Sequence, residues 1–323
     1  MFGEPVLFSG LAALILTKYE ISLLTQHYKN ILQRLMKLHD KTPDCAVHFL
    51  SGSLPGAALL HLRQLTLFGM ISRLENSILR KIAVNVLVEG KPNCSSWFQQ
   101  IRDICIQYLL PHPLTILESP PTKLAFKQLC KQRVTCFWRR KFQTDACKLT
   151  SLRYLKPEFI SLASPHPIFS TLNGNPYQTK KAKVQSRFLS GRYRTEKLCR
   201  FWSKNNAGIC LLESCKSDRI PEELEHIIFS CKGLAETRKR LLTFTFDYIS
   251  DKPELQPIIH KYLGEAEVEF CQFIIDCSVQ SLVISSYQLY GKSIHDHLFY
   301  ITRTWCYSLH KERLRQLGRF NCD

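Results

Sequence analysis

The chain is expected to be mainly α-helical: multi-helix bundle segments joined by proline-rich linkers, with a small Cys/His zinc-knuckle-like element. Three observations predict this. Ile21, Leu24, Tyr28, Ile31, Leu32, Leu35 and Leu38 follow a three–four spacing, the period of one helix face. Proline and glycine break the chain at intervals suited to short connections. At 45% hydrophobic residues, 323 residues can bury a sizeable core in two or more subdomains.

Taken in order, a first amphipathic helix is expected over 20–39. Thr42-Pro43 ends it, because a residue preceding proline avoids helical angles. Gly52, Pro55 and Gly56 mark a loop, and helices come next near 57–74, 76–88 and 95–110. The apolar run 6–16 is short for a membrane span and has Glu4 in place of a basic flank, so it reads as a core helix and not a signal sequence. Pro111-His112-Pro113 and Pro120-Pro121 form a connector, and the Pro-His-Pro unit returns at 165–167. Both copies read as extended loop. A long basic helix is expected over 123–148. Residues 156–179, rich in Pro, Ser, Asn and Gly, read as the best linker in the chain. Helices over 234–249, 267–286 and 295–320 close it, the last with a basic end (Arg303, Lys311, Arg313, Arg315, Arg319). His295-Asp296-His297 reads as a surface cluster, since neighbours on a helix point apart. The expected organisation is a helical region (1–122), a basic connector (123–204) and a Cys/His region with C-terminal helices (205–323).

Charge is concentrated. The net formal charge is +17, and residues 123–204 hold eleven Lys and eight Arg against Asp145, Glu158 and Glu196. Such a local excess predicts a docking surface for a polyanion, most often nucleic acid. On the 123–148 helix the candidate phosphate contacts are Lys127, Lys131, Arg139, Arg140 and Lys141. An ordinary solvated face is the other reading. Downstream they are Lys180, Lys181, Lys183, Arg187, Arg192, Arg194, Lys197 and Arg200. Tyr193, Phe201 and Trp202 lie among these cations, and Lys204 comes after them. Aromatic faces stack on unpaired bases while cations take phosphates, so RNA or single-stranded DNA is the expected partner, with no membrane and no small-molecule substrate. The 14 cysteines form no secreted disulfide pattern, which predicts a reducing, nuclear or cytoplasmic location.

Four residues downstream, Cys210, Cys215, His226 and Cys231, are spaced Cys-x4-Cys-x10-His-x4-Cys. Three thiolates and one imidazole satisfy a tetrahedral zinc ion with no open position. Free buried thiols beside a core histidine would look the same. Pro221 and the glutamates after it suit a helix start. His226 and Cys231 are five apart, which on an unbroken helix sets them ~140° apart. The helix must therefore end near Ser230, with Gly233 as a natural stop.

The phrase Glu223-Leu224-Glu225-His226-Ile227-Ile228-Phe229-Ser230-Cys231 resembles the ending of the Cys-Cys-His-Cys motif in non-LTR (LINE-type) retrotransposon polyproteins, which lies downstream of their reverse transcriptase domain. Leu189-Ser190-Gly191-Arg192-Tyr193-Arg194-Thr195-Glu196 resembles the same elements. So do Leu38-His39-Asp40-Lys41-Thr42-Pro43, Ser51-Gly52-Ser53-Leu54-Pro55 and Leu60-His61-Leu62-Arg63. The first cysteine pair departs from the commonest version by its wider spacing. The resemblance implies the region after the polymerase palm, which helps hold element RNA and target DNA, and a reading frame that Met1 opens inside an older element. No Asp-Asp, Walker loop, Gly-x-Ser-x-Gly or His-Glu-x-x-His occurs, so no polymerase or hydrolase chemistry is expected. The other readings are a helical protein-interaction scaffold and a degenerate element copy without function.

Overall fold

In the computed structural model, residues 8, 10–75, 77–89, 96–159, 161–201 and 207–319 are described. The expected helical class is met: among the described residues there is no strand, only an isolated bridge between Ile209 and Pro221. No single described helix is long and apolar enough to cross a membrane. Contacts divide the chain into two units, Met1–Leu32 with Ser53–Thr144, and Gln33–Gly52 with Asp145–Asp323. These are not the expected segments. The basic connector falls partly in each unit, because its long helix packs with the front helices while the described residues of 145–201 pack with the C-terminal ones.

The first unit gathers helices Gly56–Ser72, Ile78–Glu89, Trp97–Gln107, Pro113–Glu118 and most of Lys123–Cys147. Leu60, Leu65, Phe68, Ala83, Ile101, Ile104, Leu117 and Val134 are buried. A polar chain crosses this core: Trp138 Nε1–H donates to Tyr108 Oη at 3.1 Å, and Tyr108 Oη lies in hydrogen-bond contact with His61 Nδ1 at 2.8 Å. Burial holds the His61 imidazole down at about 4 and pushes the Tyr108 phenol up to about 12. The apolar run 6–16 is not the expected core helix. Its described part makes only the 3-10 turn Leu11–Ala13. Side chains then take its carbonyls: Trp97 Nε1–H donates to Ala12 O, Gln64 Nε2–H to Leu14 O and Gln100 Nε2–H to Leu16 O. An irregular segment can lie against a core only when its peptide groups are paired in this way.

The second unit is built on the C-terminal helix Lys292–Gln316, which touches Pro176–Leu189, Ala235–Ile249, Glu267–Ile275 and Ser281–Tyr290. Trp305 Nε1–H donates to Thr245 Oγ1 at 2.9 Å, and Gln185 Nε2–H reaches Ile274 O, Ile275 O and Thr302 Oγ1 at 3.1 Å each. The expected 267–286 helix is broken by a short turn at Cys277–Val279. The basic end expected on the last helix is only partly a surface: Arg303 and Arg313 are each 2% exposed. Arg303 donates to Ile168 O at 3.1 Å and Thr171 Oγ1 at 2.9 Å.

The described residues of 156–172 are anchored to the second unit and do not form a free linker, while 173–177 are exposed. Leu162, His166 and Ile168 are buried, and His166 N–H donates to Leu50 O at 3.1 Å. The Pro-His-Pro units are not loops either. In each, the histidine caps a short helix whose first residue is the second proline of the unit: Leu114 N–H donates to His112 Nδ1 at 3.3 Å, and Ile168 N–H to His166 Nδ1 at 3.2 Å. An imidazole here does the work of an N-cap oxygen, and proline at the first helical position loses no needed donor.

Candidate metal centre and basic cleft

The four spaced residues converge. One ligand atom from each of Cys210, Cys215, His226 and Cys231 lies within 4.8 Å of every other, and all four residues are buried. Cys231 Sγ stands 3.9 Å from Cys210 Sγ and 3.7 Å from Cys215 Sγ. Two sulfurs bound at about 2.3 Å to one tetrahedral ion stand about 3.8 Å apart, whereas a disulfide would place them near 2 Å. Among the described residues no other His, Cys, Asp or Glu group gathers in this way.

Local structure explains the convergence. Cys210 sits beside the isolated antiparallel bridge: Cys210 N–H donates to Ile220 O at 2.9 Å and Glu222 N–H to Gly208 O at 3.0 Å. Gly208 has φ +75°, the left-handed region that glycine enters freely. Cys215 rides the short helix Glu213–Lys216. Pro221 joins the bridge and does not start the expected helix, which begins later. Residues His226–Ser230 then form a π turn in which Cys231 N–H donates to His226 O at 2.6 Å. This five-residue hydrogen bond joins the two ligands that an α-helix would hold apart, and Cys231 itself is extended. Gly233 is not a left-handed stop. A Cβ there would meet Leu212 Cβ at 3.0 Å, so its small size lets this turn close against Leu212.

The donor set fits a metal ion. His226 Nε2 is buried without a hydrogen-bond partner, while Nδ1 lies 3.4 Å from Ser230 Oγ. With Nδ1–H donating to Ser230, the Nε2 lone pair is left for a ligand role. The hydrogen bond with Cys210 pulls the Cys231 thiol below its usual range, against burial and Cys215, and the same contact with burial pushes Cys210 up. Thiolate is the metal-binding form of cysteine. Arg238 Nη2–H donates to Cys231 O at 2.5 Å.

Behind the cluster lies an ion network that the sequence did not disclose. Arg313 holds Glu222 with two hydrogen bonds, Nε–H to Oε1 at 2.8 Å and Nη2–H to Oε2 at 2.7 Å. Glu222 Oε2 also accepts from Glu196 N–H at 2.6 Å, and Arg319 Nη1–H donates to Glu196 Oε1 at 2.7 Å. Gln316 Nε2–H donates to Gly233 O at 2.8 Å. The Cys/His segment is thereby stapled to the C-terminal helix. Nothing in the spacing of Glu222, Glu196 and Arg313 signals that they meet.

The candidate nucleic-acid residues separate into groups. Lys127, Lys131, Arg140 and Lys141 are exposed and Arg139 half-buried on Lys123–Cys147, and the apolar stripe Phe126, Cys130, Val134, Trp138, Phe142 recurs every fourth residue. At 3.6 residues per turn that stripe winds round the helix, so the cations flank it on both sides and do not share one face. Lys180, Arg194 and Arg200 are exposed, and Lys183, Arg187 and Arg192 half-buried. Two expectations are corrected. Tyr193 is 4% exposed, with its ring on Phe188 and its hydroxyl 2.9 Å from His310 Nδ1, so it cannot stack on a base. Lys181 is also 4% exposed; its Nζ–H donates to Thr304 Oγ1 at 2.9 Å beside the Tyr177 and Tyr300 rings. Lys197 is ion-paired with Glu223. Phe201 is 78% exposed. Trp202 and Lys204 lie outside the described residues.

His166, Asp276 and Ser278 resemble a nucleophilic triad in composition only. Asp276 Oδ1 accepts from Ser278 Oγ–H at 2.6 Å, and His166 Nε2 faces Asp276 Oδ2 at 3.2 Å. Because Ile168 N–H occupies His166 Nδ1, both ring nitrogens are committed and neither can take a proton from a serine. Comparison of the chain with known protein families, with curated proteins and with solved structures finds no match.

Proposed function

We propose that this chain is a non-catalytic, zinc-braced helical protein that binds RNA or single-stranded DNA, of the kind found downstream of the palm in non-LTR reverse transcriptases. The observation that carries the binding reading is an unmatched charge. Among the described residues, Lys127, Lys131, Arg139, Arg140 and Lys141 have no carboxylate within ion-pair distance, although ordinary solvated faces carry both signs. The zinc reading rests on the Cys3His donor set, its sulfur separations and the free Nε2. Four protein ligands leave no open position, the mark of structural zinc and not of zinc that activates water. Its role is to brace the 207–234 segment against the C-terminal helix.

Phosphate contacts from the three cations on one flank of the Lys123–Cys147 helix, Lys127, Lys131 and Arg139, would lower single-strand affinity about twentyfold between ~50 and ~200 mM salt. A filter-binding titration at those two concentrations reads this directly, and absent or salt-insensitive binding overturns it. For the metal, protein purified under reducing conditions should carry about one zinc per chain by elemental analysis. Cys215→Ser and His226→Ala should lose it, and a metal-free wild-type chain would end the zinc reading.

A further inference from the structure

A second feature of the same unit faces solvent close to the ion network. Lys37, Arg187, Arg192, Arg194, Arg313 and Arg319 line a cleft of about 220 Å3 whose floor includes Tyr193. No carboxylate lines it. Arg313 and Arg319 are matched from behind by Glu222 and Glu196. The other four cations have no ion pair among the described residues. Arg192, which lines the cleft, has a buried Nε without a hydrogen-bond partner, where buried donors normally have one.

The backbone holds these groups in place. Lys37 takes φ +51° as the helix Lys18–Met36 ends, with Leu38 N–H donating to Gln33 O at 2.9 Å. Arg187 Nε–H donates to Lys37 O at 3.1 Å, and Arg192 N–H to Arg187 O at 3.1 Å. Three separate stretches of chain therefore fix the cations around one space. That space is smaller than pockets that enclose whole organic ligands, about 300 Å3 and upward. It suits one group inserted from a larger molecule. Several guanidiniums converging on such a volume match the oxygens of a phosphate.

We propose that this cleft captures a phosphomonoester, the terminal phosphate of a nucleic-acid strand. This rests on the nucleic-acid reading above and sharpens it: the helix cations of the first unit bind along a strand without regard to its ends, whereas the cleft recognises an end. A doubly charged terminal phosphate gains more from four unmatched cations than a singly charged phosphodiester does.

The test uses the full chain and labelled 12-nucleotide single strands bearing a 5′-phosphate, a 3′-phosphate or hydroxyls at both ends, measured by fluorescence anisotropy. One phosphorylated strand should bind about tenfold tighter than the hydroxyl strand, the worth of one or two charge-assisted hydrogen bonds. Arg192→Ala should reduce that ratio to about one, as should Arg194→Ala, whose exposed side chain risks no folding defect, while Lys131→Ala should lower all three affinities together. Inorganic phosphate and a nucleoside monophosphate serve as free sources of the same group, read by thermal shift. If strands bind but the end phosphate makes no difference, the cleft inference falls and the nucleic-acid reading stands. If no strand binds, yet free phosphate stabilises the wild type and not Arg192→Ala, the anion site stands as one for small phosphates and the strand-end assignment falls. If neither occurs, both fall.

Discussion

Replacing Arg313 tests whether the buried ion network holds the Cys/His segment to the C-terminal helix. Arg313, Glu222 and Glu196 are each at most 2% exposed, and Arg313 faces both carboxylates. Arg313→Met keeps the bulk of the side chain and strands the Glu222 carboxylate with only the Glu196 N–H for company. Removing one partner of a buried pair costs about 3–5 kcal/mol. Glu222→Gln leaves Arg313 with Glu196 at 3.4 Å and keeps an acceptor, so about 1–3 kcal/mol is expected. The double variant removes one charge of each sign and leaves Glu196 paired with Arg319 at 2.7 Å. It should therefore be more stable than the sum of the singles predicts, by about 2 kcal/mol. Urea unfolding of the four proteins under identical reducing, zinc-containing buffer measures the cycle. Single effects below about 1 kcal/mol, or a strictly additive double variant, would refute a network whose worth lies in mutual compensation.

Two further predictions concern other parts of the chain. His61 is held neutral at about 4 by burial, below its ordinary 6.5; a depressed folded-state value means stability is full above 6.5 and is lost as pH falls toward 4. That gap converts to about 3 kcal/mol, so acid melts should show this loss and His61→Gln should flatten it; an unchanged pH profile in the variant would sink the assignment. Gly191 has φ +63°, and a Cβ there would stand 1.9 Å from Ser151 O, whereas Gly174 has φ +74° with nothing within 4 Å. Gly174→Ala should cost only the left-handed strain, about 1 kcal/mol, and Gly191→Ala at least twice that in thermal melts because backbone must also move; equal losses would contradict the close approach.

Legibility in the sequence depended on how far each signal reaches along the chain. The helix Lys18–Met36 and its neighbours Gly56–Ser72 and Ile78–Glu89 obey local periodicity and local breakers, and their ends fall within a few residues of expectation. The four clustered Cys and His residues were legible as candidate metal ligands because ligand chemistry restricts residue type and spacing together. The His226–Ser230 turn was half legible. Geometry required the helix to release Cys231, but a π turn and a proline release would both have met that need. Tyr193, Lys181, Arg303 and Arg313 show where the reading fails. Each reads as surface because its neighbours in sequence are basic, and each is buried by a segment more than a hundred residues away. Likewise His112 and His166 sit between prolines that suggest extended chain, and only the structure reveals that their Nδ1 atoms cap helices.

The buried arginine connects the two sites of the second unit. Arg313 turns one side of its guanidinium to Glu222, four residues before His226, and its surface lines the cleft. Its charge is spent on Glu222, as that of Arg319 is on Glu196. The cleft's potential must therefore come from Lys37, Arg187, Arg192 and Arg194, while Arg313 contributes rigidity. A phosphate drawn toward the floor competes weakly with a bidentate buried carboxylate, because leaving that carboxylate unpaired costs about as much as the new contact gains. Ligand binding in the cleft should consequently leave the Glu222 pair intact and the metal cluster undisturbed. A metal ion held by Cys210, Cys215, His226 and Cys231 would, in turn, matter to the cleft only by fixing the loop that carries Glu222. The two sites are then coupled through a static support, with no moving part, and on the proposed zinc reading a chelator should weaken the proposed phosphate capture only to the extent that the 207–234 segment unfolds.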